Sequence, residues 1–76
     1  MMMIFDLPLD PVEEGVYVLL VNQSASLHFP DRQSAMAHAV AAARQRSISG
    51  LQSALNIEGG DGRWRVFPLG PSFLPG

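Results

Sequence analysis

His28 and His38 are the side chains best suited to metal ligation or proton transfer in this chain, which has no cysteine. Alternation along a strand turns His28 outward, and a helical period turns His38 to the solvent side of a helix. That places them on opposite sides of a sheet, and only Asp31 stands near enough in sequence to complete a ligand set. Both read as surface histidines. The carboxylate pairs Asp6/Asp10 and Glu13/Glu14 sit in a stretch broken by Pro8 and Pro11. General acid–base work needs a desolvated carboxylate held rigidly, so these pairs read as solvated. The serines fall in no nucleophile-elbow pattern. Gly59-Gly60-Asp61-Gly62 lacks the lysine ending of a phosphate loop and runs into a strand, so it reads as a hairpin turn. No catalytic, cofactor-binding or metal residue is assigned, and a non-enzymatic protein is expected. Arg63 and Arg65, with Phe67 and Tyr17 nearby, are the candidate anion contacts. A sheet that binds a single strand stacks bases on aromatics and holds phosphate with arginine. Against that, the chain has no lysine and a net charge of −2, and arginine stems also serve to cover apolar neighbours.

One helix must position these groups. Asp31 follows Pro30 and opens a run free of Gly and Pro, rich in alanine, reaching Arg46. Its carboxylate suits the unpaired N–H groups of a helix start. Met36, Ala39, Val40 and Ala43 share one face; Ser34, His38, Ala41 and Gln45 lie opposite. Gly50 is the expected terminator. Strands are expected at residues 16–22, 25–29, 52–57 and 63–67, where β-branched and aromatic residues gather between turn residues. The inward set reads as Leu27, Phe29, Leu55, Ile57, Trp64 and Val66, packed on Met36 and Val40. The first of these strands is apolar on both faces, with Val16, Val18 and Leu20 on one and Tyr17, Leu19 and Val21 on the other.

The expected fold is α+β, a four-stranded antiparallel sheet with strand-strand-helix-strand-strand connectivity, order 2-1-3-4, and the helix packed on one face. The helix serves as a right-handed crossover. Residues 1–14 read as an N-terminal arm, either a short edge strand or a flexible start. Residues 15–68 form the single domain, and residues 69–76, rich in Pro and Gly, a flexible tail. The strand ending at Phe29, the acid-capped helix with Ala35-Met36 and the closing Gly60-Asp61-Gly62-Arg63-Trp64 hairpin resemble small bacterial hairpin–helix–hairpin domains of unknown function. The resemblance spans residues 16–67. It implies the fold alone and carries over no functional residue.

A domain of 76 residues buries only about 60% of its unfolded surface. Without disulfides, oligomerisation is the remaining staple. The charge is uneven: residues 1–31 carry −5 and residues 32–76 carry +3. The acidic part reads as neutralising its own domain. The apolar start has no basic residue before it and breaks at Asp6, and no apolar run approaches the ~20 residues of a membrane helix. A soluble, cytoplasmic protein is expected. One helix covers one sheet face, so the other needs a partner. The expected function is an interaction module that self-associates, as a homodimer, or binds an unidentified protein. Its interface would be Tyr17, Leu19, Val21 and Phe67. The alternative is weak single-stranded nucleic-acid binding through Arg63 and Arg65.

Overall fold

The structure, a computed structural model, describes residues 2–70. Its elements are β1 (Met3–Leu7), β2 (Tyr17–Val21), β3 (Ala25–Phe29), α1 (Arg32–Ile48), β4 (Ser53–Glu58) and β5 (Trp64–Leu69). They build one α+β unit, a single five-stranded sheet in the order β3-β2-β1-β4-β5. Three pairs are antiparallel; β1 and β4 are parallel.

The expected four-stranded, all-antiparallel sheet is therefore corrected. Its four strands and their relative directions are present, but β1 is wedged between the two hairpins. The segment expected as an arm thus holds the central strand. Pro8 and Pro11 argued against a regular element there, yet both follow β1 and remove no ladder bond from it. Met3, Phe5 and Leu7 alternate onto one face, which a strand buried beneath a helix requires. The expected tail begins later too: Leu69 ends β5 and Gly70 follows it, while residues 71–76 lie outside the described residues.

The hairpin between β2 and β3 turns through Asn22 (φ 53°) and Gln23 (φ 59°), left-handed values that favour Asn-type turns. Asn22 also binds β1 twice. Its N–H donates to Ile4 O and its Oδ1 accepts from Ile4 N–H, each at 2.8 Å. The turn thereby fixes where β1 enters the sheet.

Asp31 caps α1 as the sequence led us to expect, its Oδ1 accepting from Ser34 N–H at 2.7 Å. At the other end Gly50 takes φ +75°, and the N–H groups of Gly50 and Leu51 return to Ser47 O and Arg46 O. This 5→2 and 6→1 pair satisfies the orphan carbonyls and lets the helix run to Ile48. Ala35, Ala39 and Ala43 form the buried stripe, with Met36 and Val40 half-buried on its flank. Methyl-sized residues let the helix axis lie close on the sheet, and Phe5, Leu7, Leu19 and Leu55 supply the volume beneath it.

Strand phase is the second correction. Leu19 is completely buried in the core under α1, and Val21 packs against the same cluster. Tyr17 shares their face by alternation, and Phe67, opposite Leu55, does too. The four residues expected at an interface thus belong to the helix side. Trp64 and Val66, expected in the core, lie on the opposite face and are 45% and 61% exposed. The reason is register. Both phases of β2 are apolar, and at β5 Arg63 and Arg65 point alternation to the wrong side. The pairings Phe5↔Leu55 and Leu55↔Phe67 choose it.

The backbone phase of β5 follows from Gly59 N–H donating to Arg63 O at 2.8 Å. Arg65, Phe67 and Leu69 then direct their polar backbone groups at β4, while Trp64, Val66 and Pro68 direct theirs at the free edge. Pro68 can sit inside this strand because its missing N–H belongs to the edge.

Candidate protein-binding face

The side of the sheet away from α1 is the candidate site, with Val18, Ala54 and Asp6 buried on it and Ile4, Trp64 and Val66 exposed. A helix about 10 Å wide lies on a sheet roughly 19 Å across between its outer strands, and it lies on one side only. The other side is built of cross-strand rows. The middle row runs Ser26, Leu20, Asp6, Asn56, Val66 from β3 to β5. One neighbouring row contains Ile4, Ala54 and Pro68. The other contains His28 and Val18 at one end and Glu58 and Trp64 at the other. Ile4, Trp64 and Val66 are the large apolar side chains most open to water on this side.

The polar groups of this face sit among them. Asp6 is only 6% exposed, although no helix lies above it. Its Oδ1 accepts from Asn56 Nδ2 at 3.1 Å across β1 and β4. Nδ2 is the donor of this pair, so Asn56 Oδ1 is turned away from Asp6. That Oδ1 is buried without a hydrogen-bond donor. In the next row Glu58 Oε1 accepts from Leu9 N–H at 3.0 Å, which ties the β1–β2 connection to β4.

Arginines lie elsewhere. Arg32 reaches from the start of α1 to Glu58 O at 3.0 Å, and Arg46 binds Ser53 Oγ and Gln52 O from the helix side. Arg65, opposite Ile57, belongs to the helix-side phase of β5, away from Trp64. It forms an exposed ion pair with Asp61, Nη2 to Oδ2 at 2.9 Å. Asp61 also accepts the backbone N–H of Arg63. The Arg65 hydrogen bond, then that of Arg63 N–H, holds the Asp61 carboxyl below its ordinary value, and Asp61 raises Arg65 in return. Arg65 thus keeps the face it shares with Phe67, as expected, with its guanidinium engaged by Asp61.

The histidines are not brought together. His28 is exposed on the open side, while the His38 ring lies 5.4 Å from that of Phe29 on the helix side. Among the described residues no three of His, Asp and Glu converge as metal ligands. A shallow, mostly apolar groove between α1 and β5 is lined by Val40, Ala43, Pro68, Leu69 and Gly70, with Arg44 and Ser47 beside them. No helix among the described residues is long and apolar enough to cross a membrane.

Ile4, Asp6 and Asn56 were missed as site residues. The available signal was Asp6 itself: a charge inside the apolar run Met3–Leu7, out of phase with Met3, Phe5 and Leu7.

Fold and face together define a small α+β domain with a mixed five-stranded sheet, sealed by a helix on one side and open on the other. No known protein family, curated protein or solved structure matches the chain.

Proposed function

We propose that the chain is a non-enzymatic protein-binding module that engages its partner through the open sheet face. The carrying observation is the exposure of Ile4 (40%), Trp64 and Val66 together on the side that α1 does not cover. Clustered apolar exposure of this kind marks interaction surfaces. The face projects an area on the order of 300 Å², from about 19 Å of width and five residues of strand at about 3.4 Å each. A stable dimer interface uses about 800 Å² of accessible surface per partner, so this face suits an extended segment or a small convex surface.

A second copy is the less fitting occupant. Stacking two such faces sets Asp6 of one copy in the same apolar layer as Asp6 of the other, with no arginine of either face between them. Removing like charges from water together is costly. The homodimer expected from composition gives way to a heterologous partner on this ground. The same two carboxylates, Asp6 and Glu58, repel phosphate, and no observation on this face favours nucleic acid.

The test is a random-peptide display selection against the wild-type protein. Binding is then measured through emission of Trp64, the single tryptophan. Selected peptides are expected to lose at least about tenfold in affinity for Ile4→Glu and Val66→Glu proteins that remain folded. Peptides that bind both variants as well as wild type would remove the open face as the binding surface.

A further inference from the structure

The charge pattern of the open face specifies its partner more narrowly. We infer that the partner presents an arginine or lysine over the Asp6–Asn56 pair, flanked by apolar side chains that settle on Ile4, Leu20, Val66 and Trp64. This rests on the open face being the binding surface.

The argument begins with an incomplete polar pair. Asp6 is more than nine-tenths buried and receives one hydrogen bond, from Asn56. A carboxylate has room for about four. Acidic side chains are almost never this buried without a paired cation. Among the described residues no arginine or histidine is paired with Asp6, although His28 stands on the same face. Arg32 is directed to a backbone carbonyl at the end of β4, Arg46 to the helix side, and Arg65 to Asp61. Asn56 Oδ1, buried and without a donor, leaves the pair one donor short as well.

The surroundings select the kind of donor. Leu20 and Val66 stand on either side of the pair in its own row, and Ile4 and Ala54 in the row next to it. Once a partner covers these side chains, water leaves and a charge-assisted hydrogen bond to Asp6 strengthens. A guanidinium brings five N–H donors in a planar fork and is less strongly hydrated than an ammonium, so arginine fits best. Glu58, on the same face in the adjoining row, adds negative potential toward the same cation. A neutral apolar segment would instead bury Asp6 further with nothing in return.

Two parallel display selections test this, one on the wild type and one on Asp6→Asn, which keeps shape and removes charge. Wild-type sequences are expected to be enriched in arginine or lysine between apolar residues. Asp6→Asn sequences should keep the apolar residues and lose the cation. A synthetic wild-type-selected peptide with its arginine replaced by uncharged citrulline should bind wild type at least about tenfold more weakly. It should bind Asp6→Asn no worse than its parent. If wild type selects apolar peptides without cations, or citrulline changes nothing, the cation inference is overturned while the binding face stands. If no selected peptide responds to Val66→Glu, the face itself is lost and the inference with it.

Discussion

Phe5 and Leu55 stand directly opposite each other in the one parallel pair of the sheet, and both are buried beneath α1. That contact joins the two halves of the molecule. β2 and β3 form one hairpin, β4 and β5 the other, and only β1 pairs with both. Phe5→Ala is expected to cost about 3–5 kcal/mol, a large part of what holds a domain of this size. Ile4→Ala, one residue away on the open face, should cost well under half as much. Denaturant melts followed by circular dichroism compare them, and equal losses would mean that the two faces of β1 are buried alike.

Charge separates the two faces of β2 and β5. Leu19→Glu puts a carboxylate into the sealed core and is expected to abolish folding. Val66→Glu adds one to an exposed position and is expected to leave the fold intact. Amide spectra of the two proteins read the difference at once. A folded Leu19→Glu protein would reverse the faces assigned to β2.

The alanine stripe of α1 should resist enlargement. Ala39 is fully buried against the sheet, and Ala39→Leu is expected to destabilise by about 1–3 kcal/mol through overpacking. Ala41→Leu, on the exposed side of α1, should change stability little. Urea midpoints for the two variants provide the check.

Stability should fall on the acid side through two exposed carboxyls. Backbone and side-chain hydrogen bonds from Ser34 lower Asp31, and Arg65 lowers Asp61. A carboxyl lowered in the folded state stabilises it fully above its unfolded value, ordinarily 3.8 for both. That contribution is lost as pH falls below 3.8 through the folded values. The Asp31→Asn, Asp61→Asn double variant should therefore lose less stability than wild type between pH 4 and pH 2, roughly the range in which such carboxyls titrate. Parallel thermal melts across that range would show a steeper decline for the variant if the assignment were wrong.

Gly62 holds φ +77° in the turn between β4 and β5. Gly62→Ala is expected to cost about 1–2 kcal/mol from backbone strain alone, since nothing lies within 4 Å of the added methyl. Gly60→Ala, with equal space and no positive φ, should be close to neutral. Thermal midpoints of the pair distinguish strain from crowding.

Local chemistry in the sequence determined α1, its Asp31 cap, its Gly50 terminus and both hairpins. Each rests on groups only a few residues apart, where capping, helical period and turn preference act without help from the rest of the chain. The sequence also determined that one helix must leave a sheet face open. It did not determine which face. β2 carries Val18 and Leu20 on one side and Tyr17, Leu19 and Val21 on the other, so its pattern is a tie, and at β5 the polar Arg63 and Arg65 favour the wrong side. Tertiary pairing settled both. Once Met3–Leu7 lies between the hairpins with Phe5 against Leu55, the register carries Leu19 and Phe67 to the helix side and Trp64 and Val66 to the open side. The Asp6–Asn56 pair was out of reach for the same reason. Its two residues are 50 positions apart in the chain and meet only because β1 and β4 run side by side.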